Sequence, residues 1–334
     1  MITAQQLLSS PRMFSGVQPT GDLHLGNYLG AIASWIKLLD QHPGIFAIVD
    51  YHAITVPFQA RDLASLRREA ALTYLACGLD PERCLIFEQS RVPEHTELAW
   101  IFSTLCPMGL LERMTQFKDK KQQHAASINL GLFAYPVLQA ADILLYNAEL
   151  VPVGEDQAQH LELTRELARK FNTAFGQLFV EPQTYLSKTP RLLGIYGKEK
   201  MSKSKGNHIP LLSDEKTLRK TINRCTTDTK RITATDPGVP ADCPMFSNLH
   251  TSFTPEAERA QILAGCTTAT LGCGACKAIL FEHLNTVLTP IRERRAALAE
   301  KPRILTDILE HGAVTARAIA TETLQKAKSL MGLQ

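Results

Sequence analysis

Short apolar segments alternate with longer amphipathic segments through the N-terminal half of this 334-residue chain. The apolar segments have the length of strands and show no regular alternation with polar residues, which is typical of strands covered on both faces. Alternating strands and helices favour a parallel sheet with helices on both sides. The sequence therefore predicts an α/β fold with a doubly wound parallel sheet. The strands are predicted at Met13–Val17, Ile45–Asp50, Leu85–Phe87 and Leu150–Gly154, and the helices at Tyr28–Asp40, Asp62–Cys77 and Asp156–Phe171.

The alternation ends near residue 210, and the remaining sequence is helical in pattern, with breaks rich in Pro, Gly and Thr between residues 226 and 255. We expect a second, helical domain there, with a boundary near residues 190–210. No segment approaches the roughly 20 apolar residues of a membrane span, and the N-terminus has no basic start followed by an apolar run. The chain is therefore expected to be cytoplasmic and to have no membrane partner. Its eight cysteines are expected to be thiols or metal ligands rather than disulfides. The net charge of +3 neither requires nor excludes a nucleic-acid partner.

A glycine-rich turn follows the first predicted strand. Gly16, Gly21 and Gly26 allow the backbone to approach a ligand closely. The helix that begins near Asn27 directs its first N–H groups at such a ligand, and His24 and Asn27 have the spacing to project from that turn toward a triphosphate. Turns of this kind lie at the carboxyl edge of a parallel sheet, where ligands bind. The alternative is a tight turn that binds nothing, and for this segment alone it is the better interpretation.

A loop with two lysines lies far downstream. The segment Lys200–Ser204 reads Lys-Met-Ser-Lys-Ser and is flanked by Gly197 and Gly206. A mobile loop with two ammonium groups can close on a pyrophosphate leaving group and release it after the reaction. A solvated loop is the alternative for this segment alone. The two segments together, in this order, favour a nucleoside triphosphate held from two sides.

The segment His24–Asn27 together with Lys200–Ser204 resembles the two signatures of the class I aminoacyl-tRNA synthetases. In that family the first signature usually ends in His, where this chain has Asn27. Four further segments are similar to bacterial tryptophanyl-tRNA synthetases, and the similarity covers most of residues 12–210 and extends more weakly to the C-terminus. These segments are Phe14–Gly21, Leu111–Lys118, Ala140–Tyr146 and Val153–Gln157.

The resemblance implies which residues bind ATP and support the reaction. Lys200, Lys203, His24 and Asn27 are the expected catalytic residues of the two signatures. Lys120 falls where the family has a further phosphate-binding lysine. The expected ATP-binding residues are Gln18, Pro19, Thr20, Gly26, Asn27, Gly154, Glu155, Asp156, Leu192, Lys200, Met201, Ser202, Lys203 and Ser204.

The resemblance also implies a pocket for tryptophan. Asp142 matches the residue that reads the indole, Tyr135 and Gln157 match those that hold the ammonium group, and Gln18 is expected beside them. An indole N–H is only a donor, so a carboxylate at the floor of an apolar pocket is its natural acceptor. Phenylalanine would leave that acceptor unpaired, which discriminates strongly. The alternative for Asp142 is a helix cap or a surface carboxylate. Gln139 stands where the family often has Met.

The implied reaction attaches L-tryptophan to tRNA(Trp) in two steps. The carboxylate of tryptophan attacks the α-phosphate of ATP, accompanied by Mg²⁺, and gives tryptophanyl-adenylate and pyrophosphate. The 3′-terminal ribose of the tRNA then takes the aminoacyl group. Positioning and charge stabilisation suffice for this chemistry. His52 and His160 are candidates for a substrate contact or for polar packing. The alternative functions are a tyrosyl-tRNA synthetase, a small-substrate nucleotidyltransferase and a non-catalytic regulator with a tryptophan pocket.

Four cysteines have the spacing C-x22-C-x6-C-x2-C, namely Cys243, Cys266, Cys273 and Cys276. Soft thiolates in a reducing compartment suit Zn²⁺ or an iron–sulfur cluster, so the pattern predicts a metal site rather than buried thiols. Some tryptophanyl-tRNA synthetases carry a [4Fe–4S] cluster on this spacing. The resemblance therefore implies a [4Fe–4S] cluster, with Zn²⁺ as the alternative.

The resemblance finally implies a domain arrangement and an assembly. Residues 1–199 are expected to form a Rossmann-like catalytic domain that binds ATP and tryptophan, and residues 200–206 the mobile loop. Residues 207–334 are expected to form a helical anticodon-binding domain that contains the cysteine site, with its last helix packing back on the catalytic domain. The family further implies a homodimer, with the tRNA spanning both subunits and the cluster serving anticodon recognition.

Overall fold

The computed structural model describes residues 1–19, 21, 23–115, 128–186, 192–203 and 205–333. The chain divides into two compact units, here called the sheet unit and the helical unit. The sheet unit comprises Met1–Gly21, Ala33–Lys188 and Leu298–Gln334, and the helical unit comprises Asp22–Ile32 and Thr189–Ala297. None of the described helices is long and apolar enough to cross a membrane.

Five parallel strands form a single sheet in the order β3-β2-β1-β4-β5. The doubly wound parallel sheet predicted from the sequence is therefore confirmed, and four of its strands lie within one or two residues of their predicted bounds. The fifth strand was not predicted, because its sequence is polar and its residues are exposed or half-buried at the edge of the sheet. The strands are β1 (Met13–Val17), β2 (Gly44–Ile48), β3 (Cys84–Glu88), β4 (Leu150–Val153) and β5 (Gln183–Leu186).

The helices of the sheet unit cover both faces of the sheet, and the helical unit is built from helices and short turns, as the sequence predicts past residue 210. In chain order the α-helices are α1 (Ala4–Leu8), α2 (Leu25–Asn27), α3 (Ala33–Leu38), α4 (Asp50–Ala53), α5 (Ala60–Cys77), α6 (Glu94–Leu105), α7 (Met108–Glu112), α8 (Leu130–Leu144), α9 (Ala158–Phe175), α10 (Glu215–Asn223), α11 (Thr251–Phe253), α12 (Glu256–Thr267), α13 (Cys273–Ala299) and α14 (Pro302–Leu330).

All three predicted helices differ from their predicted bounds, and the helix predicted over Asp156–Phe171 runs over Ala158–Phe175. The helix predicted over Tyr28–Asp40 begins as a π-helical turn at Tyr28–Ile32 and continues as α3 to Leu38. The helix predicted from Asp62 begins at Ala60 and ends where predicted, because Gly78 takes the left-handed conformation with φ +110° and closes its last turn.

The core of the sheet unit lies between the sheet and the helices packed on it. Trp35 of α3 stacks on Phe46 of β2, with ring centroids 5.0 Å apart, and meets Tyr74 of α5 edge-on. The last helix, α14, packs on β3 at Gly312. A Cβ atom at this position would lie 2.1 Å from the carbonyl oxygen of Ile86, so the approach of helix to strand requires glycine.

The order of the strands determines where a ligand can enter. β1 pairs with β2 on one side and with β4 on the other, so the chain winds in opposite directions from this point. In open α/β sheets the crevice at such a reversal, at the carboxyl ends of the strands, is the usual binding position. Gln18 follows β1 directly, and Gln157 ends the short 3-10 turn after β4, so both lie at this edge.

Candidate functional site

The sheet unit contains a pocket of about 410 Å³ at the carboxyl ends of β1 and β4. Its position is the one expected from the reversal in strand order. All four residues that the sequence predicts to bind tryptophan line this pocket, and Gln139 lines it as well. The lining residues are Phe14, Ser15, Gly16, Val17, Gln18, Val49, His52, Tyr135, Gln139, Asp142, Ile143, Val151, Val153 and Gln157.

Asp142 is a buried carboxylate with only 1% of its surface exposed, in the last turn of α8. The caps of α8 are Asn129 and Leu145, and burial excludes a surface position, so Asp142 is neither a cap nor a surface group. Its Oδ2 accepts a hydrogen bond from His52 Nε2 at 2.8 Å. Its Oδ1 accepts from His95 Nδ1 at 2.6 Å and from Gln89 Nε2 at 2.7 Å. Three donors from three other segments therefore hold the carboxylate.

The carboxylate of Asp142 is ionised at neutral pH. Burial by itself raises its pKa, but the hydrogen bonds from His52 and His95 outweigh burial, and the pKa lies below its ordinary value. An ionised carboxylate only accepts hydrogen bonds, so both imidazoles direct an N–H at it.

A tyrosine fixes the second imidazole. His95 Nε2 lies 2.7 Å from the hydroxyl of Tyr146, whose ring stacks on Phe14 with centroids 5.7 Å apart. Burial raises the pKa of Tyr146, and the negative charges of Asp142 and Glu94 raise it further. The phenol therefore keeps its proton. The hydroxyl can then donate to Nε2, which leaves the proton of the neutral ring on Nδ1, facing the carboxylate.

A second polar chain joins two of the predicted tryptophan-binding residues. His160, buried in α9, lies with Nδ1 2.8 Å from Gln157 Oε1 and with Nε2 3.2 Å from the hydroxyl of Tyr135. Because an amide oxygen accepts, Nδ1 carries the proton and Nε2 accepts from the hydroxyl. The ring therefore links the side chains of Tyr135 and Gln157 beside the pocket.

The helical unit brings the first signature next to the segment that follows the lysine loop. The backbone N–H of Leu25 donates to the carbonyl of Ile209 at 2.9 Å, and that of Leu211 donates to Leu23 at 3.0 Å. Gly26 faces the loop, since a Cβ atom there would lie 3.5 Å from the Cβ of Met201. The two signatures, distant in sequence, are thus neighbours within one unit.

Asn207 organises the backbone of the lysine loop. Its Oδ1 accepts from the N–H of Ser202 at 2.7 Å, and its Nδ2 donates to the carbonyl of Lys200 at 3.2 Å. Met201 between them is buried and donates its N–H to the carbonyl of Leu192 at 3.0 Å, so Leu192 is packed beneath the loop. Lys200 and Lys203 remain exposed. Sequence reasoning missed Asn207, although its place directly after the loop glycine was the available signal.

His24 and Asn27 form the N-terminus of α2. The N–H of His24 donates to Asn27 Oδ1 at 3.0 Å, so the residue that departs from the family signature closes this turn. Burial, followed by the positive potential of His208 and Lys200, lowers the pKa of His24 to about 4. The imidazole is therefore uncharged at neutral pH and can offer a hydrogen bond rather than a charge.

The other predicted ATP-binding residues lie in both units. Pro19 is buried after β1, and Glu155 and Asp156 are exposed in a 3-10 turn after β4. Gly154 begins that turn, where a Cβ atom would lie 2.7 Å from Asp156 Oδ1. Three predicted residues lie outside the described residues, namely Thr20, Lys120 and Ser204.

The four predicted metal ligands line one small pocket of the helical unit, of about 20 Å³. Cys243 and Cys276 are buried, and Cys266 and Cys273 are partly exposed. Gly238 packs against this pocket, because a Cβ atom there would lie 2.5 Å from Cys266 Sγ. The fold therefore brings Cys243 and Cys266, which are distant in sequence, to the same pocket.

In the absence of a metal, the thiols of Cys243, Cys266 and Cys276 keep their protons at neutral pH. Burial raises the pKa of Cys276 to about 12, and the three neighbouring thiols add to the effect. A metal displaces such protons and binds the thiolates. His250 Nε2 lies 3.3 Å from Cys276 Sγ, and Arg231 lies near Cys266. Among the residues that the structure describes, no group of three or more His, Cys, Asp or Glu side chains is in position to hold a metal ion.

Comparisons with known proteins agree on one family. The family model of tRNA synthetases class I (W and Y) matches residues 8–289. The tryptophan–tRNA ligase of Deinococcus radiodurans is 45% identical over 326 residues, which cover 96% of this chain and 98% of that protein. The tryptophan–tRNA ligase of Thermotoga maritima is 42% identical over 328 residues, which cover 96% and 99%.

Solved structures give the same result. The tryptophanyl-tRNA synthetase of Campylobacter jejuni, complexed with ADP and tryptophan, matches with a TM-score of 0.86 at 38% identity, over 96% of this chain and 99% of that chain. The tyrosyl-tRNA synthetase of Archaeoglobus fulgidus matches with a TM-score of 0.67 at 20% identity, over 87% of this chain and 93% of that chain. The second likeness is one of fold alone.

Proposed function

The chain belongs to the tryptophanyl-tRNA synthetases, within the class I tRNA synthetases for tryptophan and tyrosine, and on this premise we propose which of its residues carry the reaction. It attaches L-tryptophan to tRNA(Trp), first forming tryptophanyl-adenylate from ATP with Mg²⁺ and then transferring the aminoacyl group to the 3′-terminal ribose of the tRNA. The observation that carries the proposal is the ionised, buried carboxylate of Asp142 in the pocket of the sheet unit.

Asp142 reads the indole of tryptophan. The indole N–H needs an acceptor when it is buried. Among the described residues, Asp142 Oδ2 accepts one hydrogen bond, from His52, in a pocket whose other walls include Phe14 and Val153. Gln139, where the family often has Met, lines the same pocket as a neutral polar group. It has no charge with which to replace the carboxylate.

Tyr135 and Gln157 hold the ammonium group, and Gln18 lies at the same pocket. His160 orients the first two, because it accepts from the hydroxyl of Tyr135 and donates to Gln157 Oε1. Both oxygens are acceptors that suit a cation. His160 therefore acts through its neighbours rather than on the substrate.

We expect Asp142→Asn to raise the KM for tryptophan by about 100-fold or more, because the amide turns one acceptor into a donor facing other donors. The measurement is tryptophan-dependent exchange between ATP and pyrophosphate, with tyrosine as the second amino acid. Gln139→Met, in the same helix and pocket, is the matched control and should stay within a few-fold of the unaltered enzyme. An unchanged KM for tryptophan in Asp142→Asn would contradict the role of Asp142.

The lysine loop and the first signature bind the phosphates of ATP. Lys200 and Lys203 are exposed ammonium groups on a backbone ordered by Asn207, and His24 offers an uncharged hydrogen-bonding ring beside them. Charge that develops on the leaving pyrophosphate is stabilised by such cations. Lys120 is proposed as a further phosphate ligand on the resemblance alone.

The remaining contacts to ATP are proposed on the resemblance alone. In the helical unit they are Gly26 and Asn27 at the start of α2, Leu192 near the adenine, and the Lys200–Ser204 loop. In the sheet unit they come from the turns after β1 and β4. The residues of these two turns are Gln18, Pro19, Thr20, Gly154, Glu155 and Asp156.

Lys203→Ala should lower the rate of adenylate formation by about 10²–10³-fold, since one charged donor to the transition state is lost. The dissociation constant for tryptophan should stay within a factor of about two. Rapid-quench measurement of adenylate and a fluorescence titration with tryptophan separate the two quantities. Lys205→Ala is the matched control, because Lys205 forms an ion pair with Glu199 at 2.8 Å on the same loop. The opposite pattern, weak tryptophan binding with a normal rate, would refute the assignment.

Cys243, Cys266, Cys273 and Cys276 bind a [4Fe–4S] cluster, with Zn²⁺ as the alternative. The support is that all four cysteines are among the residues lining one pocket and that thiolates are soft donors. The group would tie three separate segments of the helical unit together. We place it in the proposed anticodon-binding domain, residues 207–334, as a structural support for tRNA recognition.

Protein purified without oxygen should contain four iron atoms and four sulfides per chain and absorb broadly near ~400 nm. Cys273→Ser should lose the iron and show a raised KM for tRNA. Cys225→Ser is the matched control, because Cys225 is a buried thiol of the same unit that is not among the residues lining this pocket. Stoichiometric zinc without iron would support the alternative metal. Protein with neither metal, or Cys273→Ser with full iron content, would reject the site.

The enzyme is a homodimer that works in the cytoplasm, where tRNA and ATP are available. Trp100 of α6, Met108 of α7 and Leu130 of α8 are 72%, 66% and 78% exposed, on helices that pack on one another in the sheet unit. Large exposed apolar groups mark association surfaces.

Sedimentation should give about twice the 37.0 kDa of one chain, and Trp100→Glu should shift the mass toward the monomer. A monomer at micromolar concentration would contradict the dimer, and cell fractionation tests the location.

A further inference from the structure

We infer that Gln89, His95 and Tyr146 are positioning residues that give Asp142 its selectivity for the indole N–H. The inference rests on the proposed role of Asp142. None of the three is among the described residues that line the pocket, so they act through the carboxylate rather than on the substrate. The sequence motifs described above assign no positioning role to these three residues.

The acceptor capacity of the carboxylate explains their effect. A carboxylate has two oxygens and about four acceptor positions. Oδ1 accepts from Gln89 at 2.7 Å and from His95 at 2.6 Å, which fills its two positions. Oδ2 accepts from His52 at 2.8 Å, which fills one more. The donors of the described residues therefore leave a single position, on Oδ2, and the indole N–H takes it.

Tyr146 determines which ring nitrogen of His95 carries the proton. Its hydroxyl, 2.7 Å from His95 Nε2, donates to that nitrogen and so holds the ring proton on Nδ1. Without this donor the ring could carry its proton on Nε2, and an unprotonated Nδ1 would face the carboxylate. The phenol itself cannot turn, because its ring stacks on Phe14 and meets Phe87 edge-on in the core.

A fixed acceptor discriminates more strongly than a mobile one. When a ligand without an N–H enters, a carboxylate that could rotate would find another donor and lose little. Asp142 cannot rotate without breaking three buried hydrogen bonds, so its remaining position on Oδ2 stays unpaired against such a ligand. Gln89 and His95 should therefore affect the choice of substrate more than the turnover rate.

The test compares tryptophan with 3-(3-benzothienyl)alanine, an analogue in which sulfur replaces the indole N–H. The quantity measured is the selectivity ratio, kcat/KM for tryptophan divided by kcat/KM for the analogue, in ATP–pyrophosphate exchange. His95→Gln carries its amide at the place of Nε2 and gives Asp142 no donor, so the ratio should fall by about tenfold with kcat for tryptophan nearly kept. His95→Asn carries its amide nitrogen at the place of Nδ1, so it should restore most of the ratio.

Tyr146→Phe should lower the ratio by about three- to tenfold, and it decides the matter if His95→Gln does not fold. Thr73→Val, which removes a buried hydroxyl that donates to the carbonyl of Glu69 at 2.8 Å elsewhere in the sheet unit, controls for lost stability. It should lower the melting temperature without changing the ratio. If the ratio falls in Asp142→Asn but is unchanged in both His95→Gln and Tyr146→Phe, the inference is wrong while the proposed role of Asp142 stands. A ratio unchanged in Asp142→Asn rejects the proposed role of Asp142, and the inference with it.

Discussion

A carboxylate cannot be buried in the last turn of a helix unless donors surround it, and this constraint organises the sheet unit. The helix dipole and desolvation both oppose the charge of Asp142. Its donors come from three separate places in the chain, His52 in α4 after β2, Gln89 directly after β3, and His95 in α6. A parallel sheet brings the ends of its strands to one edge, so segments far apart in sequence can meet at one carboxylate. The binding pocket and the order of the strands thus depend on each other.

In the helical unit, the charged groups of the lysine loop are exposed rather than buried. Lys200 and Lys203 keep their ammonium groups exposed, while the backbone that carries them is held by Asn207 and by the buried side chain of Met201. An exposed ammonium group loses little solvation in the resting enzyme, and it needs no partner until phosphate charge is present. A buried, fixed charge suits the choice of a substrate. An exposed charge on an ordered loop suits a leaving group that must be bound and then released.

The sequence predicted those features that depend on local pattern. β1 to β4 are apolar runs without regular alternation, and their positions follow from it, whereas the exposed edge strand Gln183–Leu186 has no such run. The pocket residues Asp142, Tyr135 and Gln157 came from resemblance rather than from periodicity. Gln89, His95 and Asn207 were missed because each is a single polar residue whose partner lies far along the chain. Only the fold places a buried donor opposite its acceptor, so no local pattern can reveal such pairs.

Selecting tryptophan within this family requires more than an acceptor. A phenol O–H is also a donor, so an acceptor at the pocket floor would serve tyrosine as well as tryptophan if it could move to meet it. The family model covers both specificities, and the archaeal tyrosyl enzyme shares the fold at 20% identity. What separates the two amino acids is then the place of the acceptor relative to the ring. In this chain His52, Gln89 and His95 hold the carboxylate of Asp142 in one orientation. If Asp142 reads the indole as proposed, specificity depends in part on Gln89 and His95, which do not line the pocket.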